Sequence, residues 1–352
     1  MFLSHIGYKR VTIDCYKKMD RFKEVDINRV LSILLIVILH SLAFYTGAWA
    51  APDDFQSVGL YKYLGKLCGS VAVPSFLFIS GFLFRSQITT KKQDFASLIK
   101  KKAKRLLLPS VIFSILYVLL FNEEIFSLSS LFDILNGAGH LWFLPMLFWC
   151  FCASFYLFRL PNKYSLLIAA LLTLLGGGYL PFGISRMFYY LIYFILGGVF
   201  YSSKLNTKRF SSMLVAVLFI SFFVIFSFEN LMKETSFKVL EDYELLGVLI
   251  DRGHAIIRAV YGCLGVVLLF MLSIRLSKYN FFNSPFFKLN VRLSFGIYIY
   301  HQFILVLLYR KLNLYYCAGP YLLPIIGFVS AITLSFALAY LTNKTKIGRQ
   351  LV

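Results

Sequence analysis

Ile27-Asn-Arg29-Val-Leu-Ser-Ile-Leu-Leu-Ile-Val-Ile-Leu-His40-Ser41 decides how this chain is read. The run is almost wholly apolar, and with its continuation to residue 48 it is long enough to span a bilayer as one helix. Ten residues separate Arg29 from His40. Eleven helical steps make three turns plus about 20°, so both side chains share one stripe, about 16 Å apart. Ionisable groups at membrane depth are costly to bury and by default mark a functional site. Asp26, one turn before Arg29, is placed to orient the guanidinium at the inner interface. An imidazole changes charge near neutral pH, which suits it to act as a base there. The plainer alternatives are an arginine that snorkels to the interface and a histidine hydrogen-bonded to a neighbouring span.

The apolar pattern repeats along the chain. Of the 352 residues 59% are hydrophobic and mean hydropathy is +0.75, beyond the composition of soluble globular proteins. Apolar blocks of roughly 17–25 residues fall near 28–48, 64–84, 106–122, 141–159, 164–181, 186–202, 211–228, 255–274, 292–311 and 321–341. They predict an all-α polytopic membrane protein of about ten transmembrane helices. An even count puts both termini on one side. Segments on that side carry 27 of the 36 Lys and Arg, against 8 on the other, while acids run the opposite way, 5 against 11. This is the positive-inside asymmetry, so both termini are expected in the cytoplasm. The net charge of +20 is then a topology signal rather than a nucleic-acid footprint, and no nucleic-acid partner is expected. The expected organisation is a cytoplasmic tail over 1–26, a membrane domain over 27–342 and a cytoplasmic tail over 343–352. No cleavable signal peptide and no appended soluble domain are expected. The six cysteines show no zinc-ligand spacing, and no metal is expected.

Further polar residues interrupt the spans. Ser80 and Gly81 sit near the inner end of the second, where a missing side chain admits a ligand or another helix. Lys100-Lys101-Lys102-Ala-Lys-Arg105 precedes the third span. Positive-inside topology with contact to anionic lipids is one reading of it. The other is a phosphate site, with lysines as point charges and arginine as a bidentate fork. Gly139-His140-Leu-Trp142 opens the fourth span at the outer face, where Trp is commonly an interface anchor. His140 and Trp142 could equally face an outward cavity and meet a sugar. Ser294-Phe-Gly296-Ile-Tyr298-Ile-Tyr300-His301-Gln302 is a polar cluster inside the ninth span. His254, at the outer mouth of the eighth, is read as an interface residue.

Five of these blocks together resemble the integral-membrane acyltransferase family 3. They are Asp26-x-x-Arg29 with ten residues to His40; Pro74-x-x-Leu-Phe78-Ile-Ser80-Gly81; Lys102-x-x-Arg105 before Pro109; His140-Leu-Trp142-Phe-Leu-Pro145; and Gly296-Ile-Tyr298-Ile-x-His301. Lys102 departs from the commoner arginine, and a single proline follows Arg105 where a pair is usual. The extracytoplasmic esterase-like domain of some members is not expected here. The resemblance implies a bacterial cytoplasmic (inner) membrane O-acyltransferase. Its acyl-CoA co-substrate, most often acetyl-CoA, is cytosolic, and no cofactor is tightly bound. The acceptor is a hydroxyl of a surface glycan or a lipid-linked saccharide, as in O-antigen or exopolysaccharide modification. Arg29 and His40 carry over as the catalytic pair. Arg85, Lys101, Lys102, Arg105, Ser80 and Gly81 are expected at the donor, and His140, Trp142 and His301 toward the acceptor. The rival reading is a transporter of lipid-linked saccharide or a polysaccharide polymerase, which would share the spans and the intramembrane ionisable residues.

Overall fold

The computed structural model describes residues 22–90, 94–121, 127–176, 180–203, 211–236 and 244–352, without the side chains of 233–236 and 244–249. Most of the expected N-terminal tail lies outside them, as do parts of the 85–105 and 229–254 loops and the end of the 176–178 glycine run.

Twelve helices carry the fold among the described residues. They are α1 (Lys23–Ser41), α2 (Gly59–Thr90), α3 (Phe95–Lys102), α4 (Leu108–Phe121), α5 (Leu128–Asn136), α6 (Phe143–Leu157), α7 (Asn162–Leu175), α8 (Ile184–Ser202), α9 (Ser212–Ser236), α10 (Glu244–Leu276), α11 (Pro285–Val306) and α12 (Leu314–Lys344). A π-helical turn, Ala103–Leu107, joins α3 to α4, and a 3-10 turn, Gly139–Trp142, leads into α6.

Local chemistry sets the helix starts near the site. Glu24 and Asp26 occupy the first turn of α1, where the helix dipole favours negative charge. The Asp94 side chain caps α3 by accepting from the Ser97 amide at 3.3 Å, and Ser284 caps α11 by accepting from the Phe287 amide at 3.2 Å, with Pro285 at the first helical position. Both patterns satisfy amides that have no partner inside the helix.

Among the described residues, eight segments are long and apolar enough to cross a membrane: 59–90, 95–121, 139–157, 184–202, 212–232, 250–276, 285–311 and 314–344. The protein is therefore an all-helical, multi-pass membrane protein. Two of the ten expected spans are not among these eight. The first run is helical as α1, but it ends at Ser41 rather than 48, and Lys23, Glu24, Asp26 and Arg29 crowd its first two turns. The fifth is α7, only 14 residues long, flanked by Pro161 and Gly176.

Burial sorts the helices. In the windows over 139–157 and 285–311, 72% is buried inside the protein, against 17% over 212–232. The segments holding His140 and His301 are thus central, and α9 is peripheral. α1 packs on α2, α10, α11 and α12, and α2 packs on α8 and α10. The α2–α8 contact is main chain against main chain. A Cβ on Gly81 would fall on the Phe194 carbonyl, and one on Gly197 would fall on that of Phe78. Small residues allow such approach between membrane helices.

Candidate active site

A cavity of about 740 Å³ lies among α1, α2, the α3–α4 corner, α6 and α11, within the size range of small-molecule sites. Helix ends supply its polar rim. Asp26 and Arg29 come from the start of α1, Gln87 from the end of α2, Lys102 and Arg105 from the α3–α4 corner, and Lys288 and Arg292 from the start of α11. Among the described residues lining it, five cations face one acid, Asp26. Asp26 pairs with Arg29 at 3.8 Å. Deeper in, the wall turns apolar with Ile33, Phe76, Ile79 and Leu147, and it ends near Phe143 and Tyr298.

Helical spacing explains the lining. Asp26, Arg29 and Ile33 fall on one stripe of α1, and Lys288, Arg292, Phe295 and Tyr298 on one stripe of α11. The π-turn carries Arg105, and its N-cap is Lys102; such turns recur at functional sites. The Lys102 ammonium lies 3.4 Å from the centroid of the Phe151 ring, a cation–π contact that holds its stem in the wall.

The same two stripes lead from the cavity to a histidine cluster. His40 lies two turns beyond Ile33 on α1, and His301 one turn beyond Tyr298 on α11. His301 Nε2 is 3.0 Å from His40 Nδ1. The His140 ring joins them, with its centroid 4.9 Å from that of His301 and 6.4 Å from that of His40. Hydrogen-bond accounting places the protons in the neutral rings. His301 Nδ1 faces the carbonyls of Tyr298 at 2.6 Å and Ile297 at 3.2 Å. Carbonyls only accept, so this nitrogen carries the hydrogen and Nε2 carries the lone pair. His40 Nδ1 must then donate to it, and the Ile36 carbonyl one turn back also approaches the His40 ring. The lone pair of His40 is left on Nε2. His140 Nε2 donates to the Ile299 carbonyl at 2.9 Å, while its Nδ1 is buried without a partner. Tyr298 donates its hydroxyl to the His140 carbonyl at 2.7 Å, which ties the 3-10 turn to α11. His301 and His140 are 0% and 3% exposed. His40 is half-buried, the least enclosed of the three. A base oriented by a second group, itself oriented by a third, is the arrangement used to activate nucleophiles.

The structure brings Arg29, Ser80, Lys102 and Arg105 to the cavity, and His40, His140 and His301 to the cluster. It does not bring the other sequence candidates to either. Arg85 donates to the Phe158 carbonyl and stacks over the Phe158 ring, at the C-terminus of α6, where a cation offsets the helix dipole. Lys101 is exposed and off the cavity wall. Gly81 is filled by the main chain of α8, so its missing side chain admits a helix. His140 opens no outer face but lies in the interior. Trp142 stands beside Phe143 and packs on Tyr190, with the Arg186 guanidinium 4.7 Å from its ring centroid. Sequence reasoning missed Lys288 and Arg292, counting them only as topology charges. The available signal was their i, i+4 spacing, in register with Tyr298 and His301 further along α11. Among the described residues, no group of three or more His, Cys, Asp or Glu is placed to hold a metal ion.

A family model described as an acyltransferase domain matches residues 22–344. No curated protein and no solved structure matches the chain.

Proposed function

The chain belongs to the acyltransferase family matched across nearly its whole length, and from that premise we propose that it moves an acyl group, acetyl in our reading, from coenzyme A to a hydroxyl of a saccharide. The observation that carries this reading is the joining of two unlike sites by two helix stripes. One is a rim of five cations. The other is an imidazole pair at 3.0 Å just beyond the apolar floor. Coenzyme A has the matching polarity, with phosphates at one end and a long, mostly uncharged arm ending in the thioester.

Arg105, Lys102, Lys288 and Arg292 hold the phosphates through charge-assisted contacts. The arm runs along Ile79 and Leu147 toward Tyr298, and Arg29 sits on the phosphate side. His40 Nε2 takes the proton of the acceptor hydroxyl as its oxygen attacks the thioester carbonyl. His301 accepts from Nδ1–H and holds the ring in that tautomer. The tetrahedral intermediate then collapses with loss of the coenzyme A thiolate, which receives the proton from His40. Positioned general bases are worth about 10²–10⁴ in rate. In this reading the cationic rim faces the cytosol of a bacterial inner membrane, consistent with the cation asymmetry of the loops. Coenzyme A binding to the full-length protein in nanodiscs tests the donor assignment. Binding that weakens with salt and is lost when Arg105 and Arg292 are both replaced by Ala supports it. Binding indifferent to both assigns the rim to topology and lipid contact.

A further inference from the structure

The bundle contains a second cavity, of about 460 Å³, lined at the opposite end of α2. Lys66, Gly69, Ser70 and Pro74 line it from the first half of that helix, whereas the first cavity takes Phe76 through Gln87 from the second half. Its chemistry also differs. Tyr189, Tyr190, Tyr193 and Tyr261 supply aromatic faces, and Glu229, Asn230, Arg258 and Lys66 supply the polar groups.

Glu229 is the informative residue. It is 3% exposed, lines the cavity, and its Oε1 has no hydrogen-bond partner. His254 Nδ1 stands 3.6 Å and Arg258 Nε 4.0 Å from that oxygen, at ion-pair distance but beyond hydrogen-bonding range, and His254 Nδ1 likewise has no hydrogen-bond partner. Arg258 Nε donates instead to the His254 carbonyl at 3.3 Å. His254, expected at an interface, is itself buried at 8% exposure. A buried carboxylate oxygen that accepts no hydrogen bond is costly even beside ion-pair partners and has room for a donor. A phosphate or lipid headgroup anion brings no donor to Glu229. An amine meets Lys66 and Arg258. A neutral hydroxyl satisfies the oxygen without either penalty, and the tyrosine faces suit the flat, apolar side of a hydroxylated ring.

We propose that this second cavity binds a saccharide ring of the acyl acceptor, with Glu229 accepting from its hydroxyls. The proposal rests on the acyl-transfer reading above and gives it a second substrate site. Tyr190 lines this cavity and packs on Trp142, and Trp142 lies beside Phe143 of the first cavity at 6.3 Å between ring centroids. These rings join the two cavities, so a ring held in the second anchors the acceptor while its reacting hydroxyl lies on the side of the thioester arm.

The test is saturation-transfer NMR on the full-length protein in phosphatidylcholine nanodiscs. The probes are methyl glycosides of glucose, galactose and N-acetylglucosamine. At least one glycoside should receive saturation. Glu229→Gln should weaken its binding about tenfold or more, the loss expected for one charge-assisted contact. Asn230→Trp, which fills the cavity, should abolish it. Coenzyme A binding should persist in both variants and reports that they fold. Absence of transfer to all three probes while coenzyme A binds overturns the proposal and leaves the donor reading standing. Transfer unchanged in both variants overturns it as well, as does loss of the signal when phosphatidylglycerol replaces phosphatidylcholine. Glycoside binding without any coenzyme A binding upholds the cavity and overturns the acyl-CoA reading.

Discussion

The two cavities are lined by opposite ends of one helix, α2, and are built from opposite materials. The first gathers cations from the starts of α1 and α11 and from the α3–α4 corner and closes on an apolar floor. The second gathers tyrosines around a buried carboxylate. A row of cations that keeps contact with water holds a polyanion without paying for complete desolvation. A carboxylate at 3% exposure is costly unless a neutral donor meets it. The difference teaches that the two ends suit different chemistries, and in our reading different molecules, with the imidazole pair beyond the floor of the first.

The comparison breaks outright if both cavities open to one side of the membrane. In a Cys317→Ser background, Asp94→Cys near the first cavity should resist a membrane-impermeant maleimide added to intact cells, and Lys62→Cys near the second should react. Labelling of residue 94 from outside would put the proposed donor site on the wrong face.

The next largest effect concerns His301, which we assign to positioning. His301→Phe should lower kcat about 10²-fold or more, within the span of general-base effects, with KM for acyl-CoA nearly unchanged. His301→Gln, whose amide oxygen can accept from His40 Nδ1–H, should recover part of the loss. A purely structural role would move KM and stability together and give no rescue.

Smaller effects separate the rim from its imitators. Arg105→Ala should weaken donor affinity about tenfold or more, from the roughly 1.5–3 kcal/mol of a charge-assisted contact. Arg105→Lys should restore part of it, since it keeps the charge but not the planar fork. Arg85→Ala should leave donor KM within about twofold and lower the thermal midpoint instead. Its contacts are with the end of α6, where helix-terminal charge interactions are worth about 0.3–2 kcal/mol. Equal effects of Arg85 and Arg105 on donor KM would erase the distinction drawn from their partners.

Much of this was legible in the residues, and what was not has a physical cause. The Arg29–His40 stripe needs only helical periodicity, and α1 realises it. The apolar blocks all appear as helices, but block length alone did not show that α1 begins with four charges or that α7 stops at Gly176. The histidine cluster joins positions 40, 140 and 301, and their meeting depends on helix packing that no local pattern encodes. Arg85 and Arg105 look alike as basic loop residues. One faces a carbonyl and the other a cavity because they leave their helices on different sides. Glu229 counted only as one acid of an outer loop, because a buried oxygen without a hydrogen bond shows only in three dimensions.

The central claim is that His40 activates a hydroxyl toward a thioester bound in the cationic cavity. Its most direct test reconstitutes the purified protein in liposomes with acetyl-CoA and a saccharide-lipid extract, and follows free thiol and ester-linked acetate together. The account predicts that both rise in equal amounts with the wild-type protein and fall by a factor on the order of 10²–10⁴ with His40→Ala, while coenzyme A still binds. Saccharide crossing the liposome with no thiol released, or wild-type turnover by His40→Ala, would contradict it.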